Sequence, residues 1–331
     1  MKPVGRILLA LLTTLPAFVA VSVSADSGDE KSVVRDCADC PPLREIAPGH
    51  FMMGTALGAY EEPEPTGESP QVSITVAQTF LIGVSEVNVE QFSRFVGATG
   101  YRPNARCREW VDGRWTIGTD ADWQRDSSGK IRAARQPVGC VSWHDAKAYT
   151  IWLSRISGRS YRLPSEVEWE YAARGGSEAP RWWGWNSFEG VSISDACRNA
   201  NVYDVSSARA INFPWPHARC SDGYVAVAPV QSFLPNPYGL FDMIGNVAEW
   251  TEDCFTGSYS NRPLDARPWI WNGGCTERPV RGGSWASRPL HSRATSRDRA
   301  IPDYASADLG FRVARDGESA ATSLDNAAAI D

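Results

Sequence analysis

Apolar positions in this chain come in short runs separated by long polar stretches, and few of them keep a period. The longest run, residues 7–21, follows Lys2 and Arg6, is broken by Thr13, Thr14 and Pro16, and gives way to the small residues of Val23-Ser24-Ala25. A basic start, a short apolar stretch and small residues ahead of a cut site predict a removable signal peptide over residues 1–25. The run is too short and too broken for a membrane span. No membrane anchor is therefore expected after cleavage, and the mature chain is expected to be periplasmic or secreted. Residues 26–40 are polar without period and predict a flexible leader.

Beyond that leader, Ile46 to Gly54 predicts two strands around a turn, and residues 61–69, with prolines and four acids, predict a surface loop. Val72 to Val84 alternates apolar and polar residues as a strand does. Ser85 predicts a cap for a helix whose inner face carries Val87, Phe92, Phe95 and Val96. Tyr101 to Val138 shows no repeating pattern and predicts an irregular excursion. A second helix is expected from Asp145, with Ala148, Tyr149, Trp152 and Leu153 inward and Gly158 as its left-handed stop. A third is expected from Ser165, with Glu168 completing a capping box, Trp169 and Ala172 on one face, and Gly175 at its end. Residues 182–235 predict no regular element, and Tyr238 to Trp250 predicts a compact glycine-bearing loop. Arg281 to Arg312 is polar throughout, opening on Gly282-Gly283-Ser284-Trp285 and closing on Gly310-Phe311-Arg312. A tail over residues 316–331 is expected to be disordered. With no internal repeat and no break in composition, residues 41–315 predict one domain.

Composition changes this picture in two ways. Without Lys2 and Arg6 the formal charge of −6 becomes −8, so a nucleic-acid or anionic-lipid partner is not expected. All eight cysteines, Cys37, Cys40, Cys107, Cys140, Cys197, Cys220, Cys254 and Cys275, lie beyond the signal, and an even count in an exported chain predicts disulfides. Their order favours local pairs, Cys37–Cys40, Cys107–Cys140, Cys197–Cys220 and Cys254–Cys275. The last three each close a loop worth roughly 3 kcal/mol. A redox or zinc role for Cys37-Ala-Asp-Cys40 is disfavoured, because no βαβ pattern surrounds it and no second C-x-x-C exists.

Several stretches together resemble the sulfatase-modifying factor family, which includes the formylglycine-generating enzyme. They are Phe51-Met-Met-Gly54, Pro137 to Trp143, Tyr161 to Gly176, Asn236 to Trp250, Arg281 to Trp285 and Leu309 to Arg312, all in family order. The resemblance implies an α+β domain of C-type-lectin-like topology with little regular secondary structure, here stapled by disulfides. It also implies oxidation of a sulfatase-type peptide cysteine at a copper(I) site of two cysteines, the first three residues after the GGS serine. That position is Ser287 here, the second falls near Ser292, and no cysteine follows Cys275. Copper(I) needs soft thiolates, which a hydroxyl does not replace, so neither copper nor formylglycine generation is expected.

The polar residues left in that frame are Ser284, Ser287, His291, Ser292 and Asp308. Ser287, His291 and Asp308 permit a Ser–His–Asp arrangement, though without a nucleophile-elbow context. The blander expectation is a surface loop whose arginines (288, 293, 297, 299 and 312) pair with acids such as Glu166, Glu168 and Glu170. The four histidines, His50, His144, His217 and His291, lack any iron-site spacing. Calcium is expected instead. The resemblance places one site on the side chains of Asp242 and Glu249 with the carbonyls of Gly245 and Val247. It places a second on Asn201 and Asp222 with the carbonyls of Val202 and Tyr224. Mixed carboxylate and carbonyl oxygens suit this hard cation. The expected role is binding or accessory, toward an exported protein, peptide or small-molecule ligand. The alternative is an enzyme modifying such a substrate in the same cleft, and sulfatase activation ranks last.

Overall fold

A computed structural model describes residues 33–56, 67–103, 106–118, 120–184, 195–271 and 273–318. The chain divides between residues 1–30 and the unit from Lys31 onward, and the described residues all belong to the latter. The predicted signal, residues 26–32 of the leader, residues 61–66 of the acidic loop and the tail beyond residue 318 lie outside them. Among the described residues no helix is long and apolar enough to cross a membrane.

A five-stranded sheet joins the two ends of the domain. In chain order its strands are β1 (Val33–Val34), β2 (Leu43–Ile46), β5 (Phe80–Gly83), β8 (Tyr161–Arg162) and β13 (Ala314–Asp316). They lie side by side as β1-β2-β5-β13-β8, every pair antiparallel. The leader expectation is thereby corrected. Residues 33–40 are ordered, because β1 pairs with β2, Cys37 bonds Cys40, and Asp36 accepts from both Arg315 and the Tyr161 hydroxyl. The tail starts later than predicted as well, since Asp316 lies in β13 and the Gly317 amide donates to the Thr79 carbonyl. A second sheet, β9 (Ala248–Trp250), β10 (Arg278–Arg281), β11 (Arg297–Ala300) and β12 (Leu309–Gly310), has the order β11-β10-β9-β12. Two hairpins complete the strands, β3 (Gly49–Met53) with β4 (Val72–Val76) and β6 (Cys107–Val111) with β7 (Arg114–Gly118).

Three helices pack on this framework, and each starts in a reciprocal capping box and ends on a left-handed glycine. Helix α1 (Val89–Thr99) is capped by Asn88 with Gln91, not by Ser85. Helix α2 (Trp143–Ser157) is capped by Ser142, and Asp145, expected at its start, is the acidic partner inside the box. Helix α3 (Glu166–Arg174) begins at Ser165 with Glu168 and stops at Gly175, as the sequence predicts. Phe92 and Phe95 of α1 meet Tyr149 and Trp152 of α2, and Phe311 closes that core. A second core gathers Val167, Trp169 and Ala173 of α3 with Ile46, Ile74, Leu240 and Met243.

Two stretches expected to be irregular contain elements. The β6–β7 hairpin turns on Asp112 and Gly113, both at positive φ. Residues 196–210 carry the short helices α4 (Ala196–Asn199) and α5 (Val205–Ala210). All four expected disulfides form.

Candidate functional site

The segment from Arg281 to Arg312 is not the surface loop its polarity predicts. Arg281, Ser284, Ser292, Arg293, Arg297 and Arg312 are all buried, and the acids that permit this sit largely on α3. That helix is buried along its whole length, so Glu166 and Glu170 have no solvent to turn to. Glu166 accepts from Arg297 Nε at 2.5 Å, Arg262 Nη1 at 3.2 Å and the Tyr259 hydroxyl at 3.1 Å. Burial alone raises its carboxyl, but Arg297, Arg281 and Arg262 together hold it down at about 2. Glu170 is shared by Arg281 and Arg174 and also accepts the Gly54 amide at 2.8 Å. Glu168 takes no arginine of the segment and pairs with Arg162 instead.

Two further acids complete the frame. Glu68, at the end of the predicted surface loop, is buried and takes a bidentate bond from Arg293. Glu249 takes Arg312 in a fork, at 2.7 Å from Nε and 2.7 Å from Nη2, and accepts Trp169 Nε1 at 2.7 Å. Arg281 also donates to the carbonyls of Ala294, Thr295 and Ser296, tying the start of the segment to its middle. The crossing is tight at Gly283, where φ is +67° and a Cβ would lie 2.6 Å from the His291 carbonyl oxygen.

Inside this frame the predicted polar residues separate. The Ser284 hydroxyl donates to Asp308 Oδ2 at 3.0 Å and lies 3.1 Å from Ser287 Oγ, which accepts the Ser284 amide at 2.9 Å. Ser306 holds the other oxygen of Asp308. No hydrogen bond among the described residues joins His291 to Ser287 or Asp308, so the Ser–His–Asp arrangement is not assembled. Burial, with Arg293 and Arg288 nearby, holds the His291 imidazole below its usual range. Ser292 Oγ is buried with no hydrogen-bond partner among the described residues. One component escaped the sequence reading. Trp285 packs into an aromatic cluster with Phe213, Tyr203, Trp215 and the hairpin residues Trp110 and Trp115. Arg108 lies 4.5 Å over the Trp115 ring. The Asp-Gly turn of that hairpin was the available signal.

The two expected calcium loops fare differently. In the second, Asn201 Oδ1 is buried without a donor, and Asp222 accepts the amides of Val202 at 3.3 Å and Tyr224 at 2.8 Å. Burial first, and the adjacent Asp204 carboxylate, push Asp222 up to about 7. An orphaned amide oxygen beside a crowded carboxylate fits a cation. In the first loop Asp242 fits, because its Oδ1 is buried without a donor. Glu249 does not fit, since Arg312 and Trp169 already engage both of its oxygens. The only cluster of three or more His, Cys, Asp or Glu ligand atoms among the described residues is Cys107, Glu109 and Cys140, whose sulfurs are bonded to each other.

Comparison with known proteins agrees with this geometry. The sulfatase-modifying factor enzyme 1-like domain family matches residues 30–317. The chain is 31% identical over 298 residues to the formylglycine-generating enzyme of Streptomyces coelicolor, covering 82% of this chain and 88% of that one. It is 30% identical over 302 residues to the inactive C-alpha-formylglycine-generating enzyme 2 of Bos taurus, covering 82% and 86%. Among solved structures, PvdO from Pseudomonas aeruginosa matches with a TM-score of 0.72 and 33% identity over 87% of this chain and 98% of that one. With the family matched over residues 30–317 and relatives at 30–33% identity covered over most of their length, the chain belongs to the sulfatase-modifying factor family.

Proposed function

We propose that this protein is an exported, periplasmic or secreted, member of the family that binds a peptide or small ligand, or assists maturation of an exported partner, without copper-dependent formylglycine generation. One observation carries the reading. Ser287 occupies the position of the first copper-binding cysteine, and all eight cysteines of the chain are committed to disulfides. A hydroxyl is a hard, weakly acidic donor and cannot substitute for a thiolate toward copper(I). The name of the inactive relative in Bos taurus supports the view that this frame persists where the reaction is absent. The half-exposed Ser287 and Asp308 offer hydrogen-bonding groups around Ser284, and the adjoining Trp285 carries the chain into an aromatic cluster with Trp115, a combination suited to holding a ligand.

Structural calcium belongs to the same reading, held by Asn201, Asp222 and the carbonyls of Val202 and Tyr224 at one loop, and by Asp242 with the carbonyls of Gly245 and Val247 at the other. Bound there, the ion supplies charge compensation and fixes the loops. The test is to incubate the purified protein with a Cys-x-Pro-x-Arg peptide, with and without copper, and to follow both peptide mass and tryptophan fluorescence. The reading expects an unchanged mass in both arms. Conversion of the cysteine to formylglycine would refute it.

A further inference from the structure

Among the described residues, buried indole nitrogens find an acceptor except in one place. Trp143, Trp169 and Trp250 donate to the Thr251 carbonyl, the Glu249 carboxylate and the Val141 carbonyl. The two buried indole N–H groups left without an acceptor belong to Trp215 and Trp285, and both lie in the aromatic cluster next to Ser284 and Ser287. A buried indole N–H normally has a partner, and Trp285 is 5% exposed, so solvent does not supply one. The cluster around them is apolar. Phe213 touches both tryptophans, with ring centres 4.7 Å from Trp215 and 5.9 Å from Trp285. What the cluster lacks is an acceptor.

One wall of the same cluster carries a cation without a counterion. In the β6–β7 hairpin Arg108 lies opposite Ile117, and Trp110 lies opposite Trp115. Residues two apart on a strand share a face, so these four side chains form one surface. Ile117 is 66% exposed and both tryptophans are half-buried. The Arg108 guanidinium lies 4.5 Å from the centre of the Trp115 ring and donates to the Tyr304 hydroxyl at 2.9 Å. No ion pair among the described residues joins it to a carboxylate, although a guanidinium carries five donor hydrogens. Arginines of the buried frame behave otherwise, since Arg293, Arg297 and Arg312 each fork onto a glutamate. Asp308, the acid of the neighbouring polar group, is already held by the Ser284 and Ser306 hydroxyls.

We infer that this hairpin face and Trp285 bind an aromatic carboxylate, with Arg108 as the anchor of its charged group. The assignment deepens the ligand-binding reading given above and rests on it. Trp115 is the shared neighbour, because Arg108 stands over its ring and Trp285 lies 6.4 Å from it. A flat apolar body laid on Trp110, Trp115 and Ile117 buries aromatic surface and brings its carboxylate to Arg108, whose planar fork matches that group. The Trp285 N–H gives a donor to a further oxygen of the ligand. A cationic ligand fits less well, because Arg108 already covers Trp115 and both oxygens of Asp308 are engaged. The anchor is also fixed to the polar group, since the Arg108 backbone bonds Ala305 and Ala307 at 2.9 Å each, one residue before Asp308.

The test titrates the full mature protein calorimetrically at neutral pH with probes of one shape and different charge: naphthoate, the neutral naphthamide and the cationic naphthylmethylamine. Native protein is expected to bind naphthoate about tenfold or more tightly than either of the others. Arg108→Gln is expected to lose about ten- to a hundredfold in affinity for naphthoate and to bind naphthamide as native protein does. Trp115→Leu is expected to weaken both probes alike. Equal affinity of native protein for naphthoate and naphthamide overturns the assignment of Arg108, and tightest binding of the amine overturns it in favour of Asp308. Absence of binding by any probe overturns the inference as a whole. Those comparisons need native protein alone, so they hold even where a variant fails to fold. The wider reading is decided separately by the peptide-mass experiment, and missing naphthoate binding leaves it in place.

Discussion

Two buried charged regions lie on either side of the Arg312–Glu249 pair, and they solve the problem of burial in opposite ways. On the α3 side, Glu166, Glu170 and Glu68 each face at least one arginine, and backbone carbonyls absorb donors left over. On the Glu86 side two carboxylates meet each other, and the nearest arginine is already spent. Their titration shows the contrast. Arginines hold Glu166 down at about 2, whereas burial first, with the Glu249 carboxylate close by, puts Asp242 at about 6 against the opposing pull of the Gln231 amide, Arg312 and the Glu86 hydrogen bond. The first region is complete as it stands. The second leaves Glu86 Oε2 and Asp242 Oδ1 buried without a donor among the described residues, and the two raised carboxyls lean on each other.

The largest effect that would break this contrast comes from Glu166→Gln. It strands Arg297 and Arg262 in a core and is expected to cost about 3–5 kcal/mol, read as a fall in denaturation midpoint. The same chemical change at Glu86, in calcium-free protein, is expected to cost nothing. Similar losses at both positions would erase the distinction. Acid provides a slightly smaller effect. Because the folded Glu166 carboxyl is depressed from 4.5 to about 2, its stabilisation is fully present above the unfolded value and disappears as pH falls through the folded one. A loss of about 3 kcal/mol is expected across that window. Glu68 works against it, since burial outweighs Arg293 there and raises its carboxyl. A flat stability profile between pH 4.5 and 2 would remove Glu166 as the anchor. The smallest effect marks the edge of the frame, where Arg299 meets Glu277 at 3.5 Å with both side chains well exposed. Arg299→Ala is expected to change stability by less than about 1 kcal/mol, and a larger loss would extend the frame to the surface.

What could be read in the sequence was local. Ser165 with Glu168, Gly158 and Gly175 are short-range signals whose physics is complete within a few residues, and the structure keeps them. The disulfide pairs followed from order along the chain. The capping of α1 was misplaced because Ser85 and Asn88 are both competent caps, and only Asn88 has Gln91 three residues on. The burial of 281–312 was not legible, because polarity alone argues for solvent. Its partners are supplied from far away, Glu68 being 225 residues from Arg293 and Glu166 131 from Arg297. Glu86 was missed for the same reason. In the sequence it is one acid before a helix, and its meaning comes from Asn246, 160 residues on. Of the candidate residues, Ser284, Ser287 and Asp308 do come together, whereas His291 meets the start of the segment through its backbone, its carbonyl lying against Gly283.

The central claim is that the frame survives here without its copper site, and copper(I) affinity tests it directly. The disulfide-intact protein is titrated into a copper(I) complex of a chromophoric chelator, and the absorbance of the complex is followed. The account predicts that the chelator keeps its metal at every protein concentration, since Ser287 and Ser292 offer only hydroxyls. Withdrawal of one equivalent of copper by the native protein would contradict it.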